Sequence, residues 1–436
     1  MRGVTAGKAR PDAGPTPTEA SHTRLRDLIP RFDRSRRGPR LDTEMPAVVL
    51  RVTEFPLQHG CLGVFRTLGR AGVPVHAVVA ESNCPVARSR YVDRQILWQP
   101  HHGDTVDQLV ERLNTFGQEL GRRSLILCTG DDSALLTALR RADLEEYFVL
   151  PDVAPDLPTQ LADKLTLEAL CREHGVATPR SAVINTMSEL EAALDDIEPP
   201  VVVKSVEPRG PARKVESTLL MRTRADMMDL VRTWKEPFGV LIQQYLPDES
   251  SEDWITHGYC GAEPGATVVF TGRKVRQWPA KGGSTAAAYV SDNQDLATIA
   301  ADFCTRVGYR GIFDLDWRHD LRTGEYHLLD FNPRVGAQFR MFENDAGIDV
   351  ARAMHLDLSG RTIPAGSPVD GERFIVEPWD LASLISDHNR STRWPGGSGR
   401  PRTAWLASDD MAPVAAAAAT QGKLSVESRL RGSRGD

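Results

Sequence analysis

Apolar positions along the chain come in two rhythms, and the change between them divides it. From Pro46 onward, short β-branched runs alternate with stretches of helical spacing. Residues 47–52, 73–79, 95–98 and 124–128 are compact apolar runs of the kind that fill buried strands. Residues 61–71 and 105–120 place their apolar groups on one helical face, the first closed by Gly72. Strands separated by helices at this interval predict a doubly wound parallel sheet. Such sheets bind ligands outside the carboxyl ends of their strands, and Thr129-Gly130-Asp131-Asp132 stands at that end of the 124–128 run. No GxGxxG follows the first strand, so a dinucleotide fold of the usual kind is not expected.

The second rhythm begins after a helix over 159–174, closed by Gly175, a strand from Pro179 to Ile184, a short helix over 188–194 and the break at Pro199-Pro200. Period-two alternation then dominates. It predicts strands at 201–204, 217–222, 240–244, 254–260, 267–271 and 273–278, with a hairpin turn at 261–265. A helix over 296–307, strands at 312–317 and 326–331 and a helix over 350–358 follow. The predicted class is α/β followed by α+β, divided into 1–44, 45–155, 156–200, 201–385 and 386–436. Residues 1–44 are rich in Arg, Pro, Gly and Thr and cannot bury enough surface to offset their ordering entropy, so a disordered tail is expected. Met45 stands directly before the first strand and reads as an alternative translation start, which the N-terminal peptide of the native protein would decide. Beyond about Ser386 the chain turns rich in Gly, Pro, Arg and Ala, an extension expected to be partly flexible with a helical turn at 415–419.

A length of 436 residues predicts two or three packed units. The net charge of -6 supplies no overall basic field, which argues against nucleic acid as a partner, and no apolar run is long enough to span a bilayer. The six cysteines, Cys61, Cys84, Cys128, Cys171, Cys260 and Cys304, form no CxxC pair and read as buried thiols of a reducing cytoplasm. The histidines, His257 and the His101-His102 pair included, make no metal-ligand spacing. Cations are lopsided: only eight of the 53 are lysines, so a lysine inside a predicted core strand asks for a reason.

Two late strands concentrate the chemistry. In Gly311-Ile312-Phe313-Asp314-Leu315-Asp316-Trp317, alternation puts Asp314 and Asp316 on one face. In His327-Leu328-Leu329-Asp330-Phe331-Asn332-Pro333-Arg334 it does the same for Asp330 and Asn332. If the strands pair across the turn at Thr323-Gly324, these oxygens converge, and convergent hard oxygens suit Mg2+.

Leu329-Asp330-Phe331-Asn332-Pro333-Arg334 resembles the closing metal motif of ATP-grasp enzymes, with Asp where Glu is commoner. The resemblance covers about Pro46 to Arg361, with five motifs in the family's order. It implies an N-terminal doubly wound domain followed by a two-part ATP-grasp domain, the small subdomain over 156–200 and the larger over 201–385. Metal ligands would be Asp316, Asp330 and Asn332, with Asp314 a neighbour, for two Mg2+ ions or Mn2+ in their place. Asp163-Lys164 and Val201-Val202-Val203-Lys204 resemble the segments whose lysines contact ATP phosphates. Gln243, Gln244, Tyr245 and Leu246 resemble the hinge strand that reads adenine. Glu249, Glu252 and Asp253 are candidates for the ribose, with Glu252 and Asp253 preferred. The segment from Thr271 to Pro279 resembles one of carboxylate–amine ligases, and Lys274, Arg276 and Arg334 become candidate catalytic cations, Lys274 and Arg276 on one face. Arg209, Arg213 and Lys214 fall in the loop that closes over phosphates in the family, and Gly282-Gly283-Ser284-Thr285 reads as a substrate loop.

The activity so implied is ATP-dependent amide or peptide bond formation through an acyl phosphate, releasing ADP and phosphate, with an amino acid or small peptide as one substrate. Small-molecule carboxylate and amine partners are expected, a homodimer is allowed, and the location implied is cytoplasmic. Two other readings stand beside it: an ATP-grasp enzyme of the carboxylase or carbamoyl-phosphate type, and a nucleotide-binding protein without catalysis.

Overall fold

The computed structural model describes residues 38–53, 58–205, 219–263, 265–279, 283–386, 394 and 398–420. Three sheets organise them. The first is parallel and five-stranded, in the order Arg94–Leu97, Val75–Val79, Ala47–Leu50, Ser124–Cys128, Phe148–Val149. Ala47–Leu50 and Val75–Val79 are buried along their whole length, which is why they read as continuous apolar runs. Strand order reverses at Ala47–Leu50, whose neighbours on its two sides are Val75–Val79 and Ser124–Cys128. The crevice outside the carboxyl ends of Ala47–Leu50 and Ser124–Cys128 is therefore the topological switch point. Helices His59–Gly69 and Asp131–Leu139 begin there, the second missing from the expected elements because its apolar groups show little one-sided spacing.

The second sheet is antiparallel, in the order Ser181–Ile184, Val240–Gln244, Val201–Ser205, Leu219–Met221. It packs on helices Met187–Asp196 and Arg224–Val231 through Leu190, Leu194, Met227 and Val231. Both helices start in capping boxes, Thr186 with Glu189 and Thr223 with Asp226, each such cap worth about 1 kcal/mol. This sheet takes strands from both sides of residue 200, so the expected division at 156–200 cuts through it: Val240–Gln244, beyond the Pro199-Pro200 break, turns back to pair with Ser181–Ile184.

The third sheet has seven strands, in the order Glu325–Asn332, Gly311–Asp320, Ser251–Cys260, Thr267–Trp278, Ser284–Val290, Glu372–Ile375, Ser398–Thr403, antiparallel until the last, parallel pair. Residues 267–278 form one strand, not two. Ser284 and Thr285, expected in a substrate loop, lie in a strand opposite Trp278 and Gln277. The helix expected over 159–174 is two, Leu157–Ala162 and Lys164–Glu173, parted at Asp163.

The first and third sheets share a core. Leu62 and Phe65 of His59–Gly69 cluster with Phe339, Phe342 and Met354. Gly63 makes the approach feasible, because a Cβ there would lie 2.7 Å from Arg340 Cγ and 2.8 Å from Phe339 Cε1. Residues 38–44, expected within the tail, lie against this body: Leu41 is buried, and Asp42 pairs with Arg361 at 3.5 Å. The C-terminal stretch, too poor in large apolar groups to announce itself, supplies the last strand. It also supplies a buried clasp, in which Arg66 donates to Asp410 Oδ2 at 3.0 Å and to the carbonyls of Ala404, Trp405 and Asp410. Four of the cysteines are buried and two half-buried, all as free thiols. Among the described residues no helix is long and apolar enough to cross a membrane.

Candidate active site

Gly311–Asp320 and Glu325–Asn332 pair with Asp314 opposite Asn332 and Asp316 opposite Asp330. Alternation then puts all four side chains on one face. The register slips between Asp316 and Trp317, leaving Leu329 as an extra residue in the edge strand. Its carbonyl accepts a hydrogen bond from Lys164 Nζ at 2.8 Å, and the same ammonium is ion-paired with Asp330. Lys164 is delivered there by local geometry: Asp163 caps the helix, accepting from the N–H groups of Leu165 and Thr166, and fixes Lys164 as its first residue. Lys274 reaches in from Thr267–Trp278, its Nζ 2.7 Å from Asp316 Oδ1. Desolvation depresses the Lys274 ammonium, but the carboxylates of Asp316, Asp253 and Asp314 outweigh it and raise its pKa. Desolvation and then the charge of Lys204 lower Lys164 to about 7. Lys204 donates to Gln243 Oε1 at 3.3 Å, and its pKa is lowered by burial. Three of the eight lysines thus come to one place, at the join of the second and third sheets.

Asp314 plays a different part from Asp316. It is buried, with His257 Nε2 at 2.8 Å and Arg334 Nη1 at 2.5 Å. Desolvation pushes its pKa up, but His257 and Arg334 together hold it well below the usual carboxylate range. Gly336 permits this packing, since a Cβ there would fall 2.1 Å from His257 Cε1. Arg334, one of the candidate catalytic cations, is held by Asp314 and, at 3.2 Å from Nε, by Asp131 at the switch point. Its guanidinium ties the first sheet to the strand carrying Asp330 and Asn332. His257 and Asp131 were not among the expected site residues. The available signals were that His257 shares a strand face with Asp253, and that Asp131 stands at a strand's carboxyl end.

Around the expected adenine strand, the Gln244 N–H is bonded to the Arg180 carbonyl at 2.9 Å and the Tyr245 N–H to the Pro200 carbonyl at 3.1 Å. Only the Leu246 N–H of the three is without a hydrogen bond among the described residues. The Gln243 side chain spans Lys204 and Ser181, accepting from the first and donating to the second. Of the two preferred ribose candidates, Asp253 lies on the face of Asp316 and accepts from Arg318 at 2.6 Å and Gln277 at 3.1 Å. Glu252 lies on the opposite face, paired with Arg273 at 2.5 Å. A shift of one residue along the strand thus sets the two on opposite faces, and Asp253 is the one that shares the face of Asp316. Glu249 is exposed in the turn before that strand.

The strand carrying Lys274 and Arg276 is bulged between them, and the two end on different carboxylates. Arg276 Nε is 2.6 Å from Asp380 Oδ1 of helix Glu377–Ser386, under the ring of Trp394. Arg209, Arg213, Lys214 and Gly282 lie outside the described residues.

Among the described residues no cluster of three or more His, Cys, Asp or Glu could cage a metal. Asp316, Asp330 and Asn332 offer two carboxylates and an amide on one face. That donor set fits Mg2+, which takes one or two carboxylates and completes its shell with phosphate and water. It does not suit a soft metal.

No family model matches the chain. It is 22% identical over 250 residues to D-aspartate ligase of Enterococcus faecium (strain Aus0004), an alignment covering 53% of this chain and 58% of that protein. The chain thus spans a little over half the length of the curated relative it matches. Among solved structures, it superposes on N5-carboxyaminoimidazole synthetase from Staphylococcus aureus complexed with ADP with a TM-score of 0.58 at 15% identity, covering 83% of this chain and 91% of that one. It superposes on L-amino acid ligase from Bacillus licheniformis with a TM-score of 0.52 at 14% identity, covering 75% of each. These likenesses establish the architecture: the chain has the ATP-grasp fold.

Proposed function

We propose that the protein is an ATP-dependent ligase that joins a carboxylate to an amine through an acyl phosphate, releasing ADP and phosphate. The observation that carries this reading is the opposition of Asp316 and Asp330 across one strand pair, with Lys164 and Lys274 converging on them and Lys204 beside. Such a set suits the charge that builds during phosphoryl transfer, and no nucleophilic side chain is needed.

In this reading the substrate carboxylate attacks the γ-phosphorus of ATP. The new bond is carboxyl oxygen to phosphorus, and the bond to ADP breaks. The amine nitrogen then attacks the acyl carbon, the carbon–nitrogen bond forms, phosphate leaves with the carboxyl oxygen, and the amine gives up a proton. Lys164 and Lys204 hold phosphate oxygens as point charges, and Lys274 steadies the phosphoryl group in transit. The Leu246 N–H donates to the adenine edge, and Asp253 faces the ribose. Asp316, Asp330 and Asn332 would hold Mg2+, which when bound neutralises phosphate charge. Arg334 and Arg276 act as positioning residues, each fixed by a carboxylate.

The names of the D-aspartate ligase and the L-amino acid ligase support an amino acid or small peptide as substrate. The likeness to the carboxyaminoimidazole synthetase keeps a second reading, in which the acceptor is not an amino acid. A trapping experiment separates them. With Mg-ATP, a mixed pool of amino acids and hydroxylamine, the ligase reading expects a hydroxamate in amounts matching the ADP released. ADP release that appears only with bicarbonate, and no hydroxamate from the pool, would favour the second.

A further inference from the structure

The chemistry proposed above does not use Arg318, yet this residue lies on the same face of the third sheet. It follows Asp314 and Asp316 at period two in strand Gly311–Asp320 and stands opposite Asp253 in Ser251–Cys260. A strand rises about 3.4 Å per residue, so Arg318 is about 7 Å beyond Asp316 along that face. Its guanidinium gathers three acceptors. Nη1 donates to Asp253 Oδ1 at 2.6 Å, Nη2 donates to the Leu246 carbonyl at 3.0 Å, and Nη2 is also ion-paired with Asp248. The Arg318 side chain is 13% exposed, so the sheet and these partners leave it little freedom.

Two of the acceptors belong to the segment that joins the second and third sheets. Residues 245–250 carry the chain from Val240–Gln244 to Ser251–Cys260. In this crossing the Leu246 N–H is without a hydrogen bond among the described residues, while the Leu246 carbonyl is held by Arg318. One guanidinium therefore fixes both the crossing at Leu246 and the carboxylate of Asp253.

Asp253 occupies the middle of a row. On one side Arg318 joins it to Leu246. On the other, Gln277 Nε2 donates to its Oδ2 at 3.1 Å, and its charge acts on Lys274, which lies 2.7 Å from Asp316. The row runs Leu246, Arg318, Asp253, Lys274, Asp316. A nucleotide with its base at Leu246 and its phosphates at Lys274 has its sugar at Asp253, because ribose joins the two.

We propose that Arg318 is the residue that positions the nucleoside of ATP, acting through Asp253 on the ribose and through the Leu246 peptide on the adenine edge. The proposal rests on the ATP-dependent reading above and adds to it how base and sugar are set in register with Asp316 and Asp330. Arg318 and Gln277 each donate to one carboxylate oxygen of Asp253, so the carboxyl group is held in one rotation and its remaining lone pairs have fixed directions. A carboxylate free to rotate would lose that freedom on meeting a ribose hydroxyl, and binding would weaken accordingly. A guanidinium suits the task because its planar fork reaches two acceptors at once, whereas an ammonium is a single point charge.

Equilibrium titration of the full chain with Mg-ATP and with its 2′-deoxy and 3′-deoxy analogues tests this. The unmutated protein is expected to prefer ATP over at least one analogue by about 10-fold or more, the size of a hydrogen bond to a charged group. Arg318→Met is expected to weaken ATP binding by about 10-fold or more and to shrink that preference to within about 3-fold. Arg318→Lys, which reaches one acceptor at a time, falls between. Asp253→Asn added to Arg318→Met is expected to change the preference little further, since both act on one contact. An arginine that only supports the fold would weaken ATP and the analogues alike and leave the preference as it was. That result, or an unmutated protein with no preference among the three nucleotides, overturns the proposal. If Arg318→Met does not fold, Arg318→Lys carries the same comparison. Binding is read here without turnover, so the two readings fail separately. Loss of the preference in the variants, with no ADP released by the unmutated protein for any member of the pool, supports this proposal and overturns the ligase reading.

Discussion

Asp330→Asn is expected to lower kcat by about 10²–10³-fold while leaving ATP affinity within a few-fold of the unmutated protein. Asp330 lies opposite Asp316, and its carboxylate is one of two that can supply negative charge to Mg2+ on this face. Asn keeps the size and one oxygen but not the charge. Adenine and ribose contacts, if made by Leu246 and Asp253, lie elsewhere on the site and are untouched. ADP release under saturating ATP, together with a nucleotide titration, measures both quantities. A drop in affinity matching the drop in kcat would place Asp330 in ground-state binding rather than in phosphoryl transfer.

The second large effect is on stability. Asp410→Ala is expected to cost about 3–5 kcal/mol, read as a lower midpoint in denaturant unfolding. Asp410 is buried and accepts from Arg66 at 3.0 Å, Ser89 at 2.8 Å and the Arg90 N–H at 2.9 Å. Arg66 is fully buried, so the substitution takes a carboxylate away from a buried cation. A loss below about 1 kcal/mol would mean that the other partners of Arg66, the carbonyls of Ala404, Trp405 and Asp410 among them, suffice for it. The neighbouring Asp409 adds a pH dependence. Desolvation raises its pKa, but the bonds from Arg70 and Tyr91 prevail and lower it to about 2. Its contribution is therefore complete above the unfolded value near 4 and is lost as pH falls toward 2.

The parts of the site legible in the sequence are those written in a short period. Asp314, Asp316, Asp330 and Asn332 could be set on one face because strand alternation is fixed, and their pairing needed only the turn at Thr323-Gly324. Lys164 and Lys204 could be singled out by the resemblance of their segments and because lysine is rare in this chain, and Lys274 by the resemblance of the segment from Thr271 to Pro279. What could not be read depends on contacts between distant segments. Asp380 holds Arg276 across about a hundred residues, and Asp131 holds Arg334 across about two hundred. Glu252 and Asp253 differ by one position, and only the observed register shows which faces Asp316. The second sheet was split at residue 200 because antiparallel pairing with Ser181–Ile184 leaves no local mark on the strands that follow. The last strand, Ser398–Thr403, comes from a stretch rich in Gly, Pro and Arg, where tertiary pairing overrides weak strand propensity.

The central claim is that this chain cleaves ATP between its β- and γ-phosphates to activate a carboxylate. Phosphorus NMR of the purified protein with Mg-ATP and the mixed amino-acid pool tests it most directly. The account predicts ADP and inorganic phosphate, appearing only when the pool is present. AMP and pyrophosphate would mean that the carboxylate is adenylated, and the acyl-phosphate mechanism would be wrong.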